Sequence, residues 1–131
     1  MVESIRERSA LVLYVGDIVT IAIVTMIGFA SHGTLSDAGS RMLTTFIPLL
    51  ISWFLAASFL GLYDPEKIMN YRELWRVALA GIFAAPLAAL LRGILLNAPI
   101  QTVFVLVLGG VSILVLLIWR VVYMIFLSRA R

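Results

Sequence analysis

Four apolar runs separated by three short polar stretches make up nearly the whole chain. Residues 10–30, 42–62, 77–96 and 103–127 are dominated by Leu, Ile, Val, Ala and Phe, with only scattered polar positions. Each run has about 20 residues or more, the length at which an α-helix crosses a hydrocarbon core of roughly 30 Å. A transmembrane barrel is the other way to satisfy every backbone group in lipid, but its strands alternate apolar and polar side chains. Segments such as IAIVTMIGFA and VLVLGGVSILVLLIW do not. The pattern therefore predicts an all-α polytopic membrane protein, a single four-helix transmembrane bundle occupying residues 1–131.

The first run also invites comparison with a secretory signal, since Gly28 and Ala30 are small residues at cleavage-site spacing. It is longer than the usual apolar region of about 7–15 residues and contains Asp17, so a membrane span is the better expectation. Composition agrees with lipid as the solvent: 63% of residues are hydrophobic and 13% charged, and the mean hydropathy is +1.10. The absence of cysteine excludes disulfides, thiolate catalysis and cysteine-ligated metals.

Charge adds an orientation. Arg6, Arg8, Lys67, Arg72, Arg76, Arg120, Arg129 and Arg131 fall on one side of the predicted bundle, against Arg41 and Arg92 on the other. The positive-inside rule then places both termini and the second loop in the cytoplasm, with the protein in the cell's inner (cytoplasmic) membrane. The net charge of +3 becomes an orientation signal. Because these residues flank spans and form no soluble surface, anionic lipid headgroups are the expected partner and nucleic acid is not. Tyr63, Tyr71, Trp75, Trp119 and Tyr123 gather at the same end, where an interfacial aromatic belt is expected, while Trp53 lies deeper. In the second loop Asp64-Pro65 is expected to break the second helix, and Asn70 with Glu73 has the spacing of a capping box opening the third.

Asp17 carries the most chemical information, because an ionisable group inside a span costs at least about 2.5–3.5 kcal/mol unless paired or hydrated. Arg120 and Asp17 each lie about seven residues, hence roughly 10 Å, from the same predicted membrane surface. Equal depth predicts an intramembrane ion pair. Gly28 is eleven residues from Asp17 and Gly109 eleven from Arg120, about 20° apart around a helix, so each charge is expected to share a helix-contact face with a glycine. The alternative for Arg120 is to snorkel to the interface if the fourth span ends at Trp119. Asp17 itself reads first as a helix-binding group and second as a proton or cation relay.

In the third run Ala78, Gly81, Ala85, Ala88 and Arg92 recur at steps of three and four, a small-residue seam leading to a guanidinium directed into the bundle. At that end the first loop offers His32, Asp37 and Arg41. His32, Arg41 and Arg92 form a candidate anion or headgroup site, since Arg presents a planar donor fork to oxyanions. Outward snorkelling of Arg92, or bonding to loop carbonyls, is the plainer alternative. A lone His32 makes no metal site, and no cofactor is expected. Pro48 and Pro86 fall inside spans, where each frees a carbonyl for a neighbouring helix or a kink.

The segments GFASH at 28–32, TFIPLLISWFLAASFLGL at 45–62, LWRVALAGIFAAPLAALLRG at 74–93, FVLVLGG at 104–110 and WR at 119–120 give the chain a resemblance to a small prokaryotic family of four-helix membrane proteins of unknown function found in archaea and bacteria. The positions that match its pattern are Asp17, His32, Pro48, Trp53, Pro86, Arg92 and Arg120. The resemblance covers most of the chain and implies the architecture without an activity. GLYDP, YREL and the WR pair are also similar to the membrane region of polyprenyl-phosphate sugar-phosphate transferases. Those proteins continue into a cytoplasmic catalytic domain, and the likeness does not extend to it.

No glycine-rich phosphate loop, nucleophile constellation or paired-carboxylate site is present, so an enzyme is not expected. The leading expectation is a non-catalytic accessory or scaffold subunit that packs against other membrane subunits or its own copies. The alternative is a small transporter or a carrier of lipid headgroups or anionic solutes using Asp17 and Arg92.

Overall fold

A computed structural model describes residues 1–31 and 39–130. The described residues form helices and turns: α1 (Val2–Ser31), α2 (Gly39–Phe59), a single turn α3 (Pro65–Ile68), a 3-10 turn (Tyr71–Glu73), α4 (Trp75–Leu96) and α5 (Thr102–Arg129). Four of these helices are long and apolar enough to cross a membrane. They form a ring in which α2 packs most extensively on α4, α4 on α5, α5 on α1, and α1 on α2.

The helices outrun the apolar segments where charge can continue them into water. α1 has 30 residues, about 45 Å at a rise of 1.5 Å per residue, and its exposed first turns carry Glu3, Arg6, Glu7 and Arg8. α2 stops earlier than its hydropathy suggests. Gly61 adopts φ +69°, the Leu62 N–H donates to the Ala57 carbonyl at 2.9 Å and the Gly61 N–H to that of Ser58 at 3.2 Å. This is a Schellman termination with glycine at its left-handed position. Asp64-Pro65 therefore does not break α2, which has already ended; Asp64 caps α3, accepting from the Glu66 N–H at 3.1 Å. Asn70 caps the 3-10 turn through the Arg72 N–H, but Glu73 turns forward to Arg76 instead of closing a capping box. Asn97, at φ 48°, ends α4 with a second such motif, Ala98 N–H to Gly93 carbonyl. The helices run through Pro48, which is buried, and Pro86, which is exposed.

The small-residue seam of α4 is broader than its sequence spacing suggests. Ala80, Ala84 and Ala88 join Leu49, Trp53, Ala57, Ile21 and Leu116 in one core cluster. Gly81 and Ala85 sit against α5, where a Cβ on Gly81 would collide with Ile113 and one on Gly109 would come within 2.9 Å of Ala85. Between apolar helices in lipid, close approach of small residues supplies the packing that burial from water supplies elsewhere. Gly28 departs from expectation: among the described residues no atom lies within 4 Å of a Cβ built there and the residue is exposed. Its phase matches that of Asp17, but it lies three turns further along α1, beyond the packed region.

Candidate functional site

Asp17 sits near the middle of α1 with no exposed surface. Its Oδ2 accepts from Arg120 Nη2 at 2.8 Å, from Trp53 Nε1 at 3.0 Å and from the Tyr63 hydroxyl at 2.5 Å. Its Oδ1 accepts from Trp119 Nε1 at 3.0 Å. Three of the four donors converge on Oδ2, where the Trp53 N–H is shared with the Tyr63 hydroxyl at 3.2 Å, and one reaches Oδ1. They come from α2, from the turn after α2, and from α5, which makes Asp17 the point where most of the ring is joined.

Each donor has a local reason for its place. Trp53 is 1% exposed, so its indole N–H must find an acceptor within the protein. Tyr63 follows the Schellman turn, which carries the chain back across the end of α2. Its ring stacks on Tyr14 at 4.1 Å between centroids and lies 6.0 Å from Phe54. Trp119 reaches the carboxylate because residue 16 is glycine: a Cβ there would fall inside the indole ring. Burial, and then the neighbouring Asp17 carboxylate, raise the Tyr63 phenol well above its ordinary value.

Arg120 is 3% exposed, which rules out interfacial snorkelling. Besides Asp17 it binds the Leu62 carbonyl through Nη1 at 3.0 Å, and its guanidinium carbon lies 5.2 Å from the Tyr63 ring centroid. Its Nε is buried and has no hydrogen-bond partner among the described residues. One guanidinium thus neutralises the carboxylate and ties α5 to both α1 and the α2 turn. The predicted pair is present; its two indoles and its phenol were not anticipated. Tyr63 and Trp119 looked like members of the interfacial belt, as did Tyr123, which is 6% exposed and donates to the Ser9 carbonyl. Tyr71 and Trp75, 70% and 54% exposed, do fit the belt. The available signal was the depth of Trp53, whose N–H required an acceptor at the level of Asp17.

Around the second loop Arg76 pairs with Glu73 through Nε and donates from Nη1 to the Leu60 carbonyl at 3.1 Å. Lys67 lies 3.4 Å from Asp64. The Glu66 backbone N–H, accepted by Asp64, holds that carboxyl below its usual value.

At the opposite end of the bundle Arg92 is half-buried and engages α2 and α5. Its Nε donates to Thr45 Oγ1 at 3.2 Å, and its guanidinium lies 4.9 Å from the Phe104 centroid. Arg41 is exposed and does not line the cavity at Arg92. His32 and Asp37 lie outside the described residues.

Residues 14–123 match the family described as "Protein of unknown function (DUF3054)". The chain belongs to that family. The match takes in Asp17, Trp53, Tyr63, Trp119 and Arg120, so the whole carboxylate centre falls inside the family region. No curated protein and no solved structure matches the chain.

Proposed function

We propose that the protein is a non-catalytic helical membrane subunit, a scaffold that packs against partner membrane proteins or copies of itself. The observation that carries this reading is the enclosure of Asp17: it has no exposed surface and is held by Arg120, Trp53, Tyr63 and Trp119. A carboxylate buried and neutralised in this way joins helices, and a transported cation would have to displace Arg120 to reach it. Its wide apolar outer surface is consistent with lateral contacts; on α5 only 17% of the most apolar window is buried within the chain.

In this reading the protein lies in the cytoplasmic membrane with both termini inside, since seven of the ten Lys and Arg residues flank one end of the bundle, Arg120 being buried within it. The cysteine-free sequence permits a direct test: single cysteines at Ser4 and Ser128 should resist membrane-impermeant maleimide in intact cells and react after permeabilisation. Labelling of one terminus only would reject the topology. For the scaffold role, crosslinking in native membranes followed by purification in mild detergent should recover a stoichiometric complex. Recovery as a lone monomer would reject it. Proton-coupled flux in proteoliposomes that disappears in Asp17→Asn but survives in Arg120→Gln would establish the transporter reading instead.

A further inference from the structure

A cavity of about 310 Å³ opens where α4 passes into α5, lined among others by Ala89, Arg92, Gly93, Ala98, Gln101 and Phe104. None of the described residues lining it is acidic. Arg92 is held there from two sides, by the Thr45 hydroxyl of α2 and the Phe104 ring of α5. Of the five N–H donors of a guanidinium, the Nε donor goes to Thr45; among the described residues the two terminal NH2 groups have no acceptor. Arg92 lies four residues before the end of α4 at Leu96, about 6 Å along the helix.

The start of α5 borders the same cavity through Gln101 and Phe104. Gln101 is the N-cap and makes no side-chain capping bond. First-turn N–H groups have no intrahelical partners, and the helix dipole favours negative charge there. Among the described residues, a guanidinium with a free fork therefore shares a cavity without acidic lining with the positive end of a 28-residue helix.

We propose that this cavity binds a phosphate oxyanion, with Arg92 as its forked partner and the start of α5 as the second donor set, and that the phosphodiester of a membrane phospholipid supplies it. The site is independent of the scaffold reading and concerns the end of the bundle remote from Asp17. Arg41 and His32 are not needed to build it.

The test uses the full-length protein in a phosphate-free maltoside detergent. Its thermal midpoint is titrated with dihexanoyl-phosphatidylglycerol, with inorganic phosphate, and with dihexanoylglycerol as the phosphate-free control. The phospholipid should give a saturable upward shift and the control none. Arg92→Gln should weaken the apparent affinity by about tenfold or more, as expected for loss of a charge-assisted pair, while Arg41→Gln leaves it unchanged. Arg92→Lys keeps the charge without the fork and should weaken it severalfold. A shift produced by inorganic phosphate alone would support the oxyanion site and make the source a free anion. Equal affinity in wild type, Arg92→Gln and Arg92→Lys, or no saturable shift with either phosphate compound, would overturn the proposal.

Discussion

The indole of Trp119 occupies the space in which residue 16 would carry a Cβ, and from there it donates to Oδ1 of Asp17. Gly16 is thus the condition for one of the four bonds to the buried carboxylate. Gly16→Ala should force the indole aside, with a cost of about 1–3 kcal/mol for overpacking together with the lost bond. A lower midpoint in detergent and a red-shifted tryptophan emission would be the readouts. Adding Trp119→Phe should recover part of the loss relative to Gly16→Ala alone, because the smaller ring leaves room for the methyl group. A Gly16→Ala protein with unchanged midpoint and emission would contradict the packing.

Removing one member of a buried pair strands the other, so Asp17→Asn and Arg120→Gln should each destabilise the bundle by about 3–5 kcal/mol. Together they should cost clearly less than the sum, since the pair is direct at 2.8 Å. Reversible unfolding in mixed SDS and maltoside micelles measures the cycle. Additive losses would show that the two groups do not interact.

The raised Tyr63 phenol sets a sign for alkaline behaviour. An unfolded tyrosine ionises near pH 10, whereas burial and then Asp17 hold the folded phenol protonated at higher pH. Above about pH 10 the folded state binds more protons than the unfolded one, so stability falls as pH rises. Tyr63→Phe should flatten this decline while lowering stability at neutral pH through the lost bond to Asp17. Unfolding midpoints at pH 8 to 11 would check it, and an identical slope in the variant would refute it.

The adjacent glycines of α5 provide an internal control. Among the described residues nothing lies within 4 Å of a Cβ built at Gly110, and Gly110→Ala should be neutral or stabilising by up to about 1 kcal/mol through helix propensity. At Gly109 the same methyl would approach the Ala85 Cβ to 2.9 Å, so Gly109→Ala should lower the midpoint relative to Gly110→Ala. Equal midpoints would mean that α4 and α5 do not approach so closely.

Several features were legible in the sequence because they depend on chain-local properties. The four spans follow from run length, the Asp17–Arg120 pair from the shared depth of two charges on known helices, and the α4 seam from its spacing. Helical phase says which residues share a face but not how far along a helix its neighbours extend, and Gly28 shows the difference. The caps at Gly61 and Asn97 depend on a backbone conformation that hydropathy does not encode, so the predicted end of α2 fell three residues late.

The apolar pattern alone determined the solvent of this protein and hence its architecture, since in lipid a chain of this composition has few ways to bond its own backbone. Only the tertiary structure decided what surrounds Asp17. Trp53, Tyr63 and Trp119 come from residues 36 to 102 positions away in sequence, and the same aromatic types serve equally well at a membrane surface. Which role each takes depends on the ring order of the helices and on the turn at Gly61, because hydrogen bonding acts over about 3 Å in space and is blind to separation along the chain.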